Sequence, residues 1–360
     1  MKNNKINNAH FTYKYVLIIV FNLIILLLFQ IKKIIKKGKR VGVIGVRHEV
    51  NIGNNLIKYA MSIKLKELGY IPYIIGTRWK YYNITFINQT TNLVVIQNNF
   101  SEIKENDYDI LIVNSDQTWR KYDKHFYDYG FLKFAENWKV KKFAYGASIG
   151  LDYWKMTKDD EQIAKNLLKD FSGISVREEG SIKLIKEHLG IIPTFVLDPT
   201  FLIDKKYYLD IIKGFQGDVV MKKKYIFVYS IYHSEDFIND VKNASSILNY
   251  DIYFFNLNNN SKIQNFIYYM VKSDAVMTNA FHGTVFSIIF NKPFITIYNK
   301  SNAKERYNTL DYLFGVHDRL FIHGQQINIE LLLKPLEIDY KHLNQFKVNS
   351  INFLKSNLEK

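Results

Sequence analysis

Ten consecutive residues, Thr278-Asn279-Ala280-Phe281-His282-Gly283-Thr284-Val285-Phe286-Ser287, set an imidazole and several hydroxyls at the junction of two patterns. Before them Asp274-Ala275-Val276-Met277 reads as a strand; after them apolar residues at Val285, Ile288 and Ile289 begin a helical period. In a strand–turn–helix unit the first N–H groups of the helix face a crevice and attract an anion. His282 in that turn can hydrogen-bond or protonate whatever the anion belongs to, and Gly283 admits a ligand to the backbone. The alternative is a histidine that caps the turn of an ordinary α/β unit.

Four further clusters sit where strands are expected to end. Asn51-Ile52-Gly53-Asn54-Asn55 follows Gly42-Val43-Ile44. Gly53 permits close backbone approach, and Asn51 and Asn54 either cap a helix or hydrogen-bond sugar hydroxyls. The run is not G-x-G-x-x-G, so dinucleotide binding is not supported. His48 and Glu49 are acid/base candidates by location alone. Asn114-Ser115-Asp116-Gln117-Thr118-Trp119 carries a carboxylate that is either a helix cap or a general base for a hydroxyl, and an indole that either stacks on a sugar or packs in the core. In Ser175-Val176-Arg177-Glu178-Glu179, the Arg177 guanidinium matches a carboxylate or phosphate with two parallel hydrogen bonds, or else pairs with Glu178, Glu179 or Glu187. Asp198-Pro199, within Val196-Leu197-Asp198-Pro199-Thr200, reads as a residue pair that shapes the exit from the first domain. The chain has no cysteine, and no His/Asp/Glu cluster shows ligand spacing, so no metal is called for.

Taken in chain order, over roughly residues 41 to 320, the five segments resemble the polysaccharide pyruvyl transferase family. The resemblance implies a GT-B-like α/β fold, two Rossmann-like domains facing a cleft. It implies transfer of pyruvate from phosphoenolpyruvate to a sugar of a polysaccharide or lipid-linked oligosaccharide, as a ketal, with no cofactor besides that donor. On this reading His282 and Asp116 are catalytic. Arg177, His282, Gly283 and Thr284 hold the donor, and Asn51, Gly53, Asn54 and Trp119 face the acceptor. Some members carry Arg where this chain has Ala280, so a positive charge must come from elsewhere. Arg306 is the candidate, with Lys292 and Lys300 near it in sequence. Two other readings remain: a GT-B glycosyltransferase with a nucleotide-sugar donor, and a non-catalytic membrane-bound scaffold of polysaccharide assembly.

The elements that must position these groups alternate short β-rich runs with helical stretches, the sign of parallel βαβ units. Strands are expected at 41–46, 71–75, 110–114, 142–147, 173–176 and 194–197, and helices at 55–68, 158–170 and 181–189. A second unit begins at Tyr225 and continues through 252–255, 275–278 and 294–297. The expected organisation is 1–40 as a membrane-anchoring segment, 41–205 and 220–335 as the two domains, and 336–360 as a terminal helix. The net charge of +15 is concentrated at the start: residues 1–40 hold nine Lys and Arg and no Asp or Glu, which leaves +6 for the other 320. Residues 15–31 are uncharged and apolar, at the short end for spanning a bilayer. Basic charge beside such a segment indicates an anionic membrane surface rather than nucleic acid. The expected location is the cytoplasmic face of the cell membrane, by a spanning or an interfacial helix.

Overall fold

A computed structural model gives the structure of residues 38–46, 51–77, 92–96, 100–121, 125–232, 234–255, 262–338 and 340–359. The anchoring segment expected over 15–31 and the pair His48 and Glu49 lie outside the described residues. Among the described residues no helix is long and apolar enough to cross a membrane.

Two parallel sheets organise the chain. The first contains β1 (Arg40–Ile44), β2 (Ile71–Thr77), β3 (Asn92–Ile96), β4 (Ile110–Val113), β5 (Lys141–Ala147), β6 (Phe171–Val176) and β7 (Thr194–Phe195), in the order β3-β2-β1-β4-β5-β6-β7. The second contains β8 (Tyr225–Tyr229), β9 (Asp251–Phe255), β10 (Ala275–Thr278), β11 (Phe294–Tyr298) and β12 (Leu320–Ile322), in the order β12-β11-β10-β8-β9. The central strands β1, β4, β8 and β10 are buried along almost their whole length, as strands covered on both faces must be, and this explains their continuous Val/Ile/Leu/Phe runs. β3 and β12 were not anticipated.

Helices α1 (Ile52–Glu67), α2 (Phe126–Phe131), α3 (Lys158–Leu168), α4 (Glu179–Leu189) and α5 (Lys205–Ile211) follow strands of the first sheet. Helices α6 (Glu235–Leu248), α7 (Ile263–Lys272), α8 (Phe281–Ile289) and α9 (Lys300–Phe314) belong to the second unit. The last helix, α10 (Tyr340–Glu359), returns to the first sheet. Its Phe353 ring meets Phe143 and Tyr145 of β5, and the Ser350 hydroxyl accepts from the Leu197 N–H at 2.9 Å.

α1 begins three residues earlier than its apolar period suggests. Asn51 is its N-cap, the side-chain oxygen accepting from Asn54 N–H at 3.3 Å. Ile52, Gly53 and Asn54 are therefore helical rather than part of a ligand loop.

Strand order reverses at two places, between β1 and β4 in one sheet and between β8 and β10 in the other. At such switch points neighbouring connections leave to opposite faces and open a crevice beyond the carboxyl ends of the strands. The segments after all four strands contribute to a single cavity.

Candidate active site between the two sheets

The cavity, about 530 Å3, takes Asn51, Asp116 and Gln117 from the first unit and Tyr232, Ala280 and His282 from the second. Two arginines, Arg120 and Arg306, and two imidazoles, His282 and His323, line it together with one carboxylate, Asp116.

His282 sits in the first turn of α8 with only 7% of its surface exposed. α8 lacks a side-chain cap because Ala280 occupies the N-cap position, so its first N–H groups have no partner from that residue. The imidazole Nε2 is buried without a hydrogen-bond partner, and the nearest acid, the Asp198 carboxylate, is 3.7 Å away. Across the gap stands Gly53 of α1. A Cβ built there would lie 2.7 Å from His282 Cβ and closer still to Cγ and Nδ1. Gly53 thus makes room for the imidazole of the other unit. The expectation that it bares backbone to an acceptor is corrected, because α1 already places it in a helix and His282 fills its open side.

Below His282 lies a buried ionic cluster centred on Arg177, whose side chain is 1% exposed. Its Nη1 donates to Asp198 Oδ2 at 2.6 Å and to Ser115 Oγ at 3.3 Å. Nη2 donates to Asp116 Oδ1 at 3.2 Å, and Nε to Glu178 Oε1 at 3.0 Å. Arg177 and His282 do converge, through Asp198. Yet the Arg177 fork is occupied by protein carboxylates and the residue does not line the cavity. Its expected direct grip on a donor is corrected: three acids have claimed its N–H groups, and it acts on the cavity through Asp116 and Asp198.

Burial pushes the Asp198 carboxyl up, but the Arg177 charge, then His282 and the Thr200 hydroxyl, outweigh this and hold it well below the ordinary range. Asp116 behaves alike: burial raises it, while Arg177, His282 and the hydrogen bonds from Asn54 (2.8 Å) and Gln117 N–H (2.8 Å) bring it below the usual value. Arg177 in turn loses from burial and gains more from Asp198, Glu178 and Asp116, so it stays charged. Asp116 has φ of 115°, a left-handed-side conformation that costs a non-glycine residue on the order of 1–3 kcal/mol. A β-bridge to Ala147 and the bonds from Arg177 and Asn54 keep it there.

Arg306, on α9, lines the cavity beside Ala280 and has a buried Nε with no hydrogen-bond partner. Its guanidinium carbon is 5.3 Å from the Phe281 ring centroid, and that of Arg177 is 5.1 Å from the same ring. Positive charge is therefore present where Ala280 supplies none.

Three other placements differ from expectation. Trp119 is 1% exposed, stacked on Phe131 at 5.4 Å, with Nε1 donating to Gly130 O at 2.8 Å. It offers no face to a sugar. Gly283 is needed because a Cβ there would strike the Thr278 side chain, not because a ligand approaches. Thr284 is fully buried, its hydroxyl paired with Thr296 at 2.7 Å. Asn54 reaches the site by holding Asp116, and Asn51 lines the cavity directly.

A family model described as polysaccharide pyruvyl transferase matches residues 51–301, which include every contact just described except those of Arg306 and His323. The chain belongs to the polysaccharide pyruvyl transferase family. The family is one of transferases. No curated protein sequence matches the chain. Among solved structures, UDP-GlcNAc 2-epimerase from Neisseria meningitidis, bound to UDP-GlcNAc, superposes with a TM-score of 0.56 at 13% identity, covering 89% of this chain and 100% of that one. UDP-GlcNAc 2-epimerase from Methanocaldococcus jannaschii gives 0.54 at 14%, covering 88% and 99%. Arabidopsis thaliana UGT89C1 complexed with UDP-L-rhamnose gives 0.52 at 7%, covering 90% and 95%. At these identities the likeness is one of fold, and the fold is GT-B-like α/β.

Asp198 was read from sequence only as a shaper of the chain. Its position after a strand of the first sheet was the available signal, since carboxyl ends of parallel strands converge on the crevice. Glu178 had been considered only as the alternative salt-bridge partner of Arg177, and that pairing is present.

Proposed function

We propose that the chain transfers the pyruvyl group of phosphoenolpyruvate to a sugar of a polysaccharide or lipid-linked oligosaccharide, forming a ketal and releasing phosphate. The observation that carries this reading is the pair of buried nitrogens without hydrogen-bond partners, His282 Nε2 and Arg306 Nε, on two side chains that line one cavity of the transferase family's fold. Buried polar groups are nearly always paired, so two such nitrogens beside an uncapped helix start suit a ligand rich in acceptor oxygens. Phosphoenolpyruvate has a carboxylate and a phosphate within one small molecule.

In this mechanism His282 delivers a proton to the donor's methylene carbon, leaving an oxocarbenium centre. Arg306 and the first N–H groups of α8 hold the carboxylate and phosphate. A sugar hydroxyl adds to the centre, phosphate departs with a proton, and a second hydroxyl closes the ketal. Of the two hydroxyl protons released, one replaces that given to the methylene carbon and the other leaves on phosphate. Asp116 is the proposed proton acceptor. A carboxylate held ionised is a weak base, but a hydroxyl that has already begun to bond to an oxocarbenium carbon is a strong acid, so a weak base suffices. Most of the rate enhancement comes from orientation and from fixed charges aimed at the reacting group.

The basic and apolar segment over 1–40 supports a membrane location at the cytoplasmic face, where acceptors on lipid carriers are assembled. The test is incubation of the full chain with phosphoenolpyruvate and lipid-linked oligosaccharides, following phosphate. Acceptor-dependent phosphate release with a pyruvate mass increment on the sugar is the expected result. Release of nucleoside diphosphate from a sugar nucleotide, with no use of phosphoenolpyruvate, would transfer the site to the glycosyltransferase reading.

A further inference from the structure

With Trp119 in the core, the expected sugar platform of the first unit is gone, but the cavity has an exposed aromatic on the opposite side. After β8 the chain turns through Ser230, Ile231 and Tyr232, and Asn279, from the end of β10, holds this turn. Its Oδ1 accepts from Ile231 N–H at 2.9 Å, while Nδ2 donates to Ser230 Oγ at 2.9 Å and to Tyr232 O at 2.7 Å. Ser230 Oγ donates to Tyr232 O at 2.8 Å. These four bonds use backbone groups and two polar side chains, so the side chains of Ile231 and Tyr232 take no part in the anchoring. Both line the cavity, Tyr232 at 65% exposure and Ile231 at 36%.

An apolar face kept in water gains nothing from burial in the free protein. Fixing it on an ordered turn prepares it for a ligand, since the ordering cost is met before binding. The ligand must offer an apolar face of ring size together with polar groups, because amide side chains of Asn51 and Gln117 line the same cavity. A hexopyranose chair has that character: axial C–H groups on a face, hydroxyls around its edge.

We propose that Tyr232, with Ile231 next to it, is the platform for the acceptor hexopyranose, and that Asn279 is the positioning residue that holds the platform. The proposal rests on the pyruvyl-transfer reading for the word acceptor, not for the sugar subsite itself. A pyranose seated there lies in the same cavity as His282 and Arg306.

The test uses the full chain and a panel of methyl hexopyranosides of galacto, gluco and manno configuration with their 2-acetamido forms. Saturation-transfer NMR reads sugar binding, and calorimetry on the same samples reads phosphoenolpyruvate. At least one pyranoside is expected to receive saturation at ring C–H protons. Its affinity should fall about tenfold in Tyr232→Ala, equivalent to about 1.4 kcal/mol, and persist in Tyr232→Phe. Phosphoenolpyruvate affinity should be the same in all three proteins, which also shows that the variants are folded. Equal pyranoside affinity in wild type and Tyr232→Ala overturns the platform, as does the absence of pyranoside binding to wild type. Tyr232-dependent binding of uridine in place of pyranosides overturns it too, in favour of a base platform. Tyr232-dependent sugar binding without any phosphoenolpyruvate binding leaves the platform standing and removes the pyruvyl donor.

Discussion

The contact between Gly53 and His282 joins the two units at the imidazole proposed to deliver the proton, and Gly53→Ala tests it. Ordinary carbon contacts lie at about 3.5–4.0 Å. The added Cβ would stand 2.7 Å from His282 Cβ and nearer to the ring, so the imidazole or α1 must yield by roughly 1 Å. Overpacking of this size costs about 1–3 kcal/mol, and a displacement of about 1 Å at a reacting group lowers turnover on the order of a hundredfold. In isolation the same substitution favours the helix, because Ala is better than Gly by up to about 1 kcal/mol within a helix. The sign of the stability effect therefore depends on His282. Denaturant unfolding of Gly53→Ala, His282→Ala and the double variant forms a cycle. Gly53→Ala should destabilise the wild type and be neutral or stabilising beside His282→Ala, while phosphate release falls in the Gly53→Ala single variant. An equal cost in both backgrounds would refute the steric argument, and full activity in Gly53→Ala would show that the packed position of His282 is not the working one.

Arg306→Ala should raise the KM for phosphoenolpyruvate roughly tenfold to a hundredfold, the worth of a charge-assisted hydrogen bond, with Lys restoring only part because it lacks the planar fork; an unchanged donor KM in steady-state assays would remove Arg306 from the site. Asp198→Asn leaves the buried Arg177 short of a partner and should cost about 3–5 kcal/mol in urea unfolding. Because the folded-state Asp198 carboxyl is depressed, its stabilisation is fully present above the unfolded value of 3.8 and is withdrawn as pH falls through the lower folded value. Thermal melts of the wild type should thus lose stability below about pH 4, and those of Asp198→Asn should lose less over the same interval. Trp119→Phe should lower stability by about 1–3 kcal/mol through the unpaired Gly130 carbonyl yet leave acceptor KM unchanged in the folded enzyme; a marked rise in acceptor KM would return the sugar to the indole.

Much of the architecture was legible because local rules are strong. Short β-rich runs at β1, β4, β8 and β10 alternate with helical stretches, the pattern of parallel βαβ units, which puts the clusters after them at carboxyl ends. Boundaries were less legible. Asn51 begins α1 because its side-chain oxygen accepts from the Asn54 N–H, which the apolar period starting later does not reveal. β3 and β12, which were not anticipated, each form one edge of their sheets.

The roles of individual side chains divide along the same line. Periodicity by itself determined the two α/β units and the turn that carries His282, because helix and strand patterning depends on residues a few positions apart. The order of five short motifs gave the resemblance to the family. Only the tertiary structure decided that Arg177 is neutralised by Asp116, Glu178 and Asp198, that Trp119 faces the core, and that Gly53 accommodates His282 from the other unit. Whether a charge is free or paired, and which face of an element meets another, depends on groups brought together from distant parts of the chain. No local pattern encodes those distances, so the cavity-lining His282 and Arg306 could be told from the internally paired Arg177 only in three dimensions.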